Sequence, residues 1–170
     1  MTIRKIIYLP DPRLRQQSIP VELFDDALRT LCDDMFDTMY AAKGVGLAAP
    51  QIGLNIRLSV VDVIGDKSQQ IVLANPEIIQ ATGRMEYQEG CLSVPSVYDN
   101  VIRAEHVTVR AQDRFGAFFE MSADGLLGEC FQHEIDHLNG KLFIDLLSPL
   151  KRTMARKKLD KFKRHHAQKP

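Results

Sequence analysis

The chain has 170 residues, of which 45% are hydrophobic and 26% charged, and its 22 Lys and Arg balance 22 Asp and Glu. This length suits one hydrophobic core, and the composition excludes a disordered or fibrous chain. Residues 1–10 lack a signal-peptide pattern and no apolar run is long enough to cross a membrane, so we expect a cytoplasmic protein that does not bind membranes. Three cysteines, an odd and sparse set, fit a reducing compartment.

The charges are unevenly distributed along the chain. Residues 151–170 hold nine Lys or Arg and one acid, whereas the other 150 residues hold 13 Lys or Arg and 21 acids. We therefore predict a single domain over residues 1–150 and a basic C-terminal helix or tail over residues 151–170. A tail of this kind usually meets a polyanionic partner.

The first predicted elements are a helix and a series of short strands. Apolar residues recur at helical spacing up to about Tyr40, and Gly44 and Gly46 end the helix. The strand predictions cover residues 56–63, 71–75, 77–82, 106–111 and 117–122. These runs are too closely spaced for βαβ crossovers, which favours antiparallel pairing.

Two further helices are predicted in the second half of the chain. One begins after the N-cap Asp124 and ends at Gly140, and the other follows Pro149 into the basic tail. We therefore expect an α+β fold, with mainly antiparallel β-strands packed around a central helix, an N-terminal helix and a C-terminal basic helix.

The central helix carries the sequence His133-Glu134-Ile135-Asp136-His137. Residues four apart lie on one face of a helix, so both imidazoles can reach one metal ion. Glu134 lies beside this pair and can contact a water molecule without being a ligand. The pattern predicts a metal-dependent hydrolase in which Glu134 moves protons.

A catalytic metal site normally has three protein ligands and an open position for water. Phe143 stands where a metzincin would have its third histidine, and no glutamate follows Glu134 to act as the third ligand of a thermolysin-like site. The third ligand must therefore come from an upstream part of the chain.

Cys91, in a loop bracketed by glycine and proline, is the best candidate for this third ligand. Cys130 lies on the same helix face as His133, but seven residues of helix place it ~10 Å from His137, too far to share one ion. We interpret Cys130 as a core or pocket residue and Cys32 as a core residue.

A third block, residues 44–51, reads Gly-Val-Gly-Leu-Ala-Ala-Pro-Gln. Its glycines would let the backbone approach a ligand closely, and Gln51 offers an amide donor for a developing oxyanion. Taken alone, the block is better interpreted as a helix-to-strand turn.

These three blocks, at residues 44–51, 89–93 and 132–137, resemble in order the three signature motifs of bacterial peptide deformylases. The resemblance extends from about residue 10 to residue 145. It implies hydrolysis of the formyl group from the N-terminal formylmethionine of newly synthesised proteins, with release of formate.

The resemblance also implies a metal site. Cys91, His133 and His137 would bind one divalent ion, which would be Fe²⁺ in cells, with Zn²⁺, Ni²⁺ or Co²⁺ able to replace it. Glu134 would take a proton from the attacking water and pass it to the leaving amine.

By the same resemblance, the Gln51 amide and the Leu92 backbone N–H would hold the oxyanion. The expected substrate contacts are the backbone of Val45 and Gly46 and a side-chain pocket formed by Leu92, Leu126, Glu129, Cys130 and His133.

Two residues depart from the pattern of the family. Tyr98 stands where some relatives have an arginine, which leaves a charge contact with the peptide open. Glu129 stands where several relatives are apolar, and it either rims the pocket or faces solvent. The usual exposure of glutamate favours solvent.

Three alternatives remain at this stage. An endopeptidase or an RNA-binding factor with a closed structural metal site would compete with the deformylase interpretation. For the basic helix, docking on ribosomal RNA is the hypothesis raised by the resemblance, and a solvated helix is its alternative. Membrane attachment is disfavoured because Met154, Leu159 and Phe162 form only a thin apolar stripe.

Overall fold

The computed structural model describes residues 2–167, so residues 168–170 of the predicted basic tail lie outside the described residues. The described chain forms three α-helices: α1 (Asp26–Ala41), α2 (Gly125–Leu138) and α3 (Pro149–Ala167). Its strands are β1 (Gly46–Ala48), β2 (Leu58–Val61), β3 (Ile71–Thr82), β4 (Met85–Cys91), β5 (Val94–Arg103), β6 (His106–Gln112) and β7 (Phe118–Ala123).

The strands form a five-stranded antiparallel sheet in the order β1-β2-β3-β6-β7 and a separate hairpin of β4 and β5. Alternate residues of a strand face opposite sides of a sheet, and both sides are covered here. Helix α1 packs on the side that carries Val60 and Val72, whereas α2 packs on the side that carries Val61 and Leu73. The prediction of a mixed fold with helices and antiparallel strands is confirmed.

Several strand predictions are corrected by the structure. The two runs predicted over residues 71–82 form one strand, in which the register shifts beside Asn75, at a φ of 50°. The loop predicted around Cys91 is instead the end of β4, and Cys91 pairs with Val94 of β5 across a tight turn. Strand β1 lies inside the block that we interpreted as a turn.

Helix α3 is basic on its outer side and apolar on its inner side. Ala155 and Leu159 are buried in a cluster that includes Ile7, Leu9 and Val97. The basic segment is therefore packed on the rest of the fold, and the boundary at residue 150 stays a prediction. Within residues 2–167, no helix is long and apolar enough to cross a bilayer.

The packing of α3 leads to a stability prediction. Replacement of Leu159 by alanine should lower the free energy of unfolding by about 2–4 kcal/mol, because it leaves a cavity between α3 and the hairpin. The exposed Lys157 provides a control, since Lys157→Ala should change this free energy by less than ~0.5 kcal/mol. Urea unfolding of the two variants measures the difference, and equal values would mean that α3 is not held by its inner face.

Candidate active site

Helix α2 presents one side to the core and the other to a cavity. Phe131 and Ile135 are buried against the sheet, which fixes the rotation of the helix about its axis. His133 and His137, one turn apart, therefore face the hairpin together, and their ring centroids are 4.9 Å apart. Both imidazoles lie on α2, on the side of the helix away from Phe131 and Ile135.

The hairpin brings Cys91 to these two histidines. The Cys91 Sγ atom lies 3.3 Å from Nε2 of His137, and the Nε2 atoms of His133 and His137 are 3.1 Å apart. These three candidate ligand atoms all lie within 4.8 Å of one another. A tetrahedral ion with metal–ligand bonds of 2.0–2.3 Å separates its ligand atoms by roughly 3.3–3.6 Å. The residues present therefore fit one metal ion, and Cys130 is not among them.

The carboxylate of Glu89 orients His133. Its Oε1 atom lies 2.8 Å from Nδ1 of His133, and it also accepts a hydrogen bond of 2.9 Å from Nη2 of Arg103. Arg103 donates a further bond of 2.9 Å to Asp136 of α2. Although burial opposes ionisation, the bonds from His133 and Arg103 lower the pKa of Glu89. An ionised Glu89 only accepts hydrogen bonds, so Nδ1 of His133 donates and its Nε2 keeps a free lone pair.

Gln51 is held in one orientation beside Cys91. Its Oε1 atom accepts a bond of 2.9 Å from the backbone N–H of Ala48, so its amino group must point the other way. That group lies 3.1 Å from Oγ of Ser93 and 3.6 Å from Sγ of Cys91. The amide donor therefore faces the candidate metal ligands.

Glu134 lies against the backbone of β1. A Cβ atom at Gly46 would be 2.5 Å from its Oε2 atom, so only glycine allows this approach. The Oε1 atom of Glu134 is buried and has no hydrogen-bond partner among the described residues. Burial raises the pKa of Glu134 to about 7.

A cavity of about 490 Å³ opens in front of these groups. The candidate metal ligands Cys91 and His133 line it, together with Gln51 and Glu134. All the predicted substrate contacts also line it: Val45, Gly46, Leu92, Leu126, Glu129 and Cys130.

One expectation about this cavity is wrong. Glu129, which we expected to face solvent, is only 6% exposed and lines the cavity wall. The reason is tertiary: Glu129 shares the cavity with Gln88, Glu89 and Leu92 of the hairpin, whereas an isolated helix would expose it. Burial raises the pKa of Glu129 to about 7, and the negative charge of Glu89 adds to the shift.

Comparisons with known proteins agree with this geometry. A family described as "Polypeptide deformylase" matches residues 3–153. The chain is 55% identical to the peptide deformylase of Azotobacter vinelandii over 167 residues, which cover 98% of this chain and 99% of that protein. The chain belongs to the peptide deformylase family.

Solved structures of this family share the fold. The crystal structure of a peptide deformylase from Legionella pneumophila matches with a TM-score of 0.97 and 67% identity, over 99% of this chain and 100% of that one. A Synechococcus elongatus peptide deformylase in complex with actinonin matches with a TM-score of 0.87 and 44% identity, over 93% and 86% of the two chains.

Membership of the deformylase family establishes the class of reaction. The protein is a metallohydrolase that removes the formyl group from formylmethionyl peptides, and the family uses a catalytic metal ion. The ordered motifs in the sequence led to the same family.

Two residues at this deformylase site were missed in the sequence. Glu89 belongs to the second motif, but only its position beside His133 reveals a role. Arg103 has no local signal at all, because its partners lie 14 and 33 residues away in the chain.

Tyr98 is 66% exposed and packs over Gly90, where a Cβ atom would be 2.5 Å from the ring.

The buried carboxyl group of Glu129 leads to a pH prediction for this deformylase. Its pKa rises from 4.5 in the unfolded chain to about 7 in the folded protein, so the folded state holds the proton more tightly. The contribution of this group to the free energy of unfolding should therefore fall as the pH rises from 4.5 to above 7. Glu129→Gln cannot ionise, so this variant should gain about 1–3 kcal/mol over the wild type between pH 4.5 and 8.

Urea unfolding at the two pH values measures this gain. The same substitution at Glu120, exposed on β7, controls for the change in net charge. A stability difference at position 129 that does not change with pH would contradict the assignment of a proton to the buried carboxyl group.

Proposed function

We propose that the protein removes the formyl group with Cys91, His133 and His137 as the ligands of one divalent metal ion. The observation that carries this proposal is the approach of the three ligand atoms to within 4.8 Å, next to the carboxyl group of Glu134. A bound divalent ion supplies Lewis acidity, which polarises a carbonyl group and lowers the pKa of water.

Glu134 is the proposed proton carrier. A carboxyl group with a pKa near 7 can accept a proton from the attacking water and return it to the leaving amine at neutral pH. Its contact with Gly46 keeps the group at the cavity wall, and no hydrogen bond from residues 2–167 holds its Oε1 atom.

Gln51 and the backbone N–H of Leu92 are the proposed donors to the formyl oxygen. Negative charge develops on that oxygen as water attacks, and donors that are oriented beforehand stabilise it without reorganisation. The hydrogen bond from the backbone N–H of Ala48 to the side-chain oxygen of Gln51 provides this orientation. Leu92 follows Cys91 in the hairpin turn, so its N–H lies at the same edge of the cavity.

The proposed substrate is a nascent peptide that begins with formylmethionine. Its backbone would run along Val45 and Gly46, with the methionine side chain in the part of the cavity lined by Leu92, Leu126 and Cys130. Methionine is flexible and polarisable, which suits an irregular, mostly apolar pocket. We do not propose cleavage of internal peptide bonds at this site, because an endopeptidase must hold the peptide chain on both sides of the bond that it cleaves.

The metal and the compartment are also proposals. A thiolate and two imidazoles bind Zn²⁺, Ni²⁺, Co²⁺ and Fe²⁺, and we propose Fe²⁺ as the ion in cells. The cytoplasm is the proposed location, since Cys32, Cys91 and Cys130 are all free thiols and a reducing compartment preserves them.

The outer face of α3 is the proposed ribosome contact. Lys157, Lys161 and Arg164 are exposed at helical spacing, on the opposite side from the buried Ala155 and Leu159. Such a row of cations matches the regular phosphates of ribosomal RNA.

The proton-carrier role of Glu134 predicts a specific loss. Glu134→Gln should keep close to one metal ion per chain but should reduce turnover of a formyl-Met-Ala peptide by ~10²-fold or more. Formate release and metal analysis of anaerobically purified protein give the two values. Loss of the metal together with the activity would show that Glu134 is a ligand.

The proposed ligand set predicts different results for two cysteines. Cys91→Ser should weaken metal binding, and the Fe²⁺ enzyme should lose activity in air as the iron or the thiolate oxidises. Cys130→Ser is the matched control and should retain the metal. A Cys91→Ser protein with full metal content and full activity would rule out the three-ligand proposal.

The ribosome contact predicts a salt-dependent loss of binding. Substitution of Lys157, Lys161 and Arg164 by glutamine should reduce the slope of log K against log salt by ~2–3 and leave turnover of a short peptide unchanged. Co-sedimentation with ribosomes across a salt series measures the slope. A control protein carries the same change at three exposed cations elsewhere: Lys67, Arg84 and Lys141. Equal binding by both variants would reject α3 as the contact.

A further inference from the structure

Five carboxyl groups are buried in the part of the chain that the structure describes. Three of them, those of Asp34, Asp62 and Glu89, accept hydrogen bonds from arginine, tyrosine or backbone N–H groups. The other two belong to Glu129 and Glu134, which receive no hydrogen bond from residues 2–167. Oε1 of Glu134 is itself buried without a partner, whereas neither carboxyl oxygen of Glu129 is such a buried atom, so the carboxyl group of Glu129 is open to the cavity. Both of these unpaired groups line the same cavity.

A buried carboxyl group without a partner is unfavourable, so folded proteins pair nearly all of them. One that stays unpaired in a cavity is a candidate for contact with a ligand. Glu134 has such a task as the proposed proton carrier. Glu129 has none in the proposed reaction, although it is 6% exposed and lies one helical turn before His133.

The position of Glu129 identifies which part of a substrate it would meet. The formyl group must lie at Cys91, His133 and Glu134, so the first side chain of the peptide enters the adjoining part of the cavity. Leu126 and Cys130 line that part together with Glu129.

A second buried polar group lies on β4, the strand that also carries Glu89. The hydroxyl group of Tyr87 is buried without a hydrogen-bond partner among the described residues. Burial raises the pKa of Tyr87, and the negative charge of Glu129 raises it further.

We propose that Glu129 is a specificity-determining residue that favours a first side chain ending in a hydrogen-bond donor. This proposal rests on the proposed function. A carboxyl group accepts hydrogen bonds in either protonation state, and a donor from the substrate would supply the partner that the protein withholds. The substrate class is N-formyl peptides whose first side chain ends in an ammonium or amide group, accepted in addition to formylmethionyl peptides.

Ornithine and norleucine form a matched pair of probes, because a terminal ammonium group replaces a terminal methyl group. The test compares kcat/KM for formyl-ornithyl and formyl-norleucyl peptides of otherwise identical sequence at pH 8. Glu129→Leu should lower the ornithyl-to-norleucyl ratio on the order of tenfold or more, because the unpaired ammonium group then enters an apolar pocket. Glu129→Gln keeps the shape of the side chain but not its charge, so the ornithyl-to-norleucyl ratio of this variant should also fall, by a smaller factor.

Glu120→Gln, an exposed change of the same chemistry, should keep the wild-type ratio. An unchanged ratio in both Glu129 variants overturns the proposal. If Glu129→Leu does not fold, the ratio of Glu129→Gln decides, since this substitution is nearly isosteric.

Failure of the proposed function would look different. In that case wild-type protein loaded with metal would release no formate from the formyl-methionyl peptide. Calorimetric binding of the same two probes to zinc-loaded Glu134→Gln protein, with and without Glu129→Leu, then measures the ratio without turnover. A ratio of affinities that does not depend on residue 129 overturns the specificity proposal by this route as well.

Discussion

The hydrogen bonds of Glu89 hold the β4–β5 hairpin against α2, and the geometry of the site depends on them. The carboxylate binds the guanidinium group of Arg103 and Nδ1 of His133. Cys91 lies two residues after Glu89 on the same strand, and His137 lies one turn after His133 on the same helix. A shift of the hairpin along the helix would therefore separate Sγ of Cys91 from both imidazoles. The same carboxylate leaves Nε2 of His133 with its lone pair directed at Cys91 and His137.

This arrangement carries an energetic cost. Arg103 is buried, and the desolvation of a buried ion pair often cancels its electrostatic attraction. Although burial opposes it, the bonds to Glu89 and Asp136 raise the pKa of Arg103, so the guanidinium group stays charged. Net stability is therefore a poor explanation for this network. We attribute the presence of this network to its role in positioning the hairpin. The guanidinium group of Arg103 joins β4 to α2 through hydrogen bonds of fixed direction, which an apolar contact of the same area would not provide.

The parts of the structure that could be predicted are those set by local sequence. Helix α1 begins after its N-cap Asp25, whose side chain accepts from the N–H of Leu28, and the pair His133 and His137 needs only helical spacing. The hairpin was missed because its glycine and proline resemble a loop, and pairing between β4 and β5 depends on contacts across the chain. The exposure of Glu129 was predicted wrongly for a similar reason, since only tertiary packing decides which face of a helix the rest of the chain covers.

Helix α2 carries both acids of the cavity that receive no hydrogen bond from residues 2–167: Glu129, one turn before His133, and Glu134, the residue next to it. In an ordinary core such groups would destabilise the fold, and apolar side chains would replace them without loss of packing. The helix tolerates them because it is anchored elsewhere, by Phe131 and Ile135 against the sheet and by Gln132, whose amide bonds both the N–H and the C=O of Ala104. Stability and chemistry are thus divided between opposite faces of one helix. Glu134, next to His133, can then act in the proposed proton transfer, and Glu129, one turn before His133, is placed for the proposed contact with the side chain of the substrate.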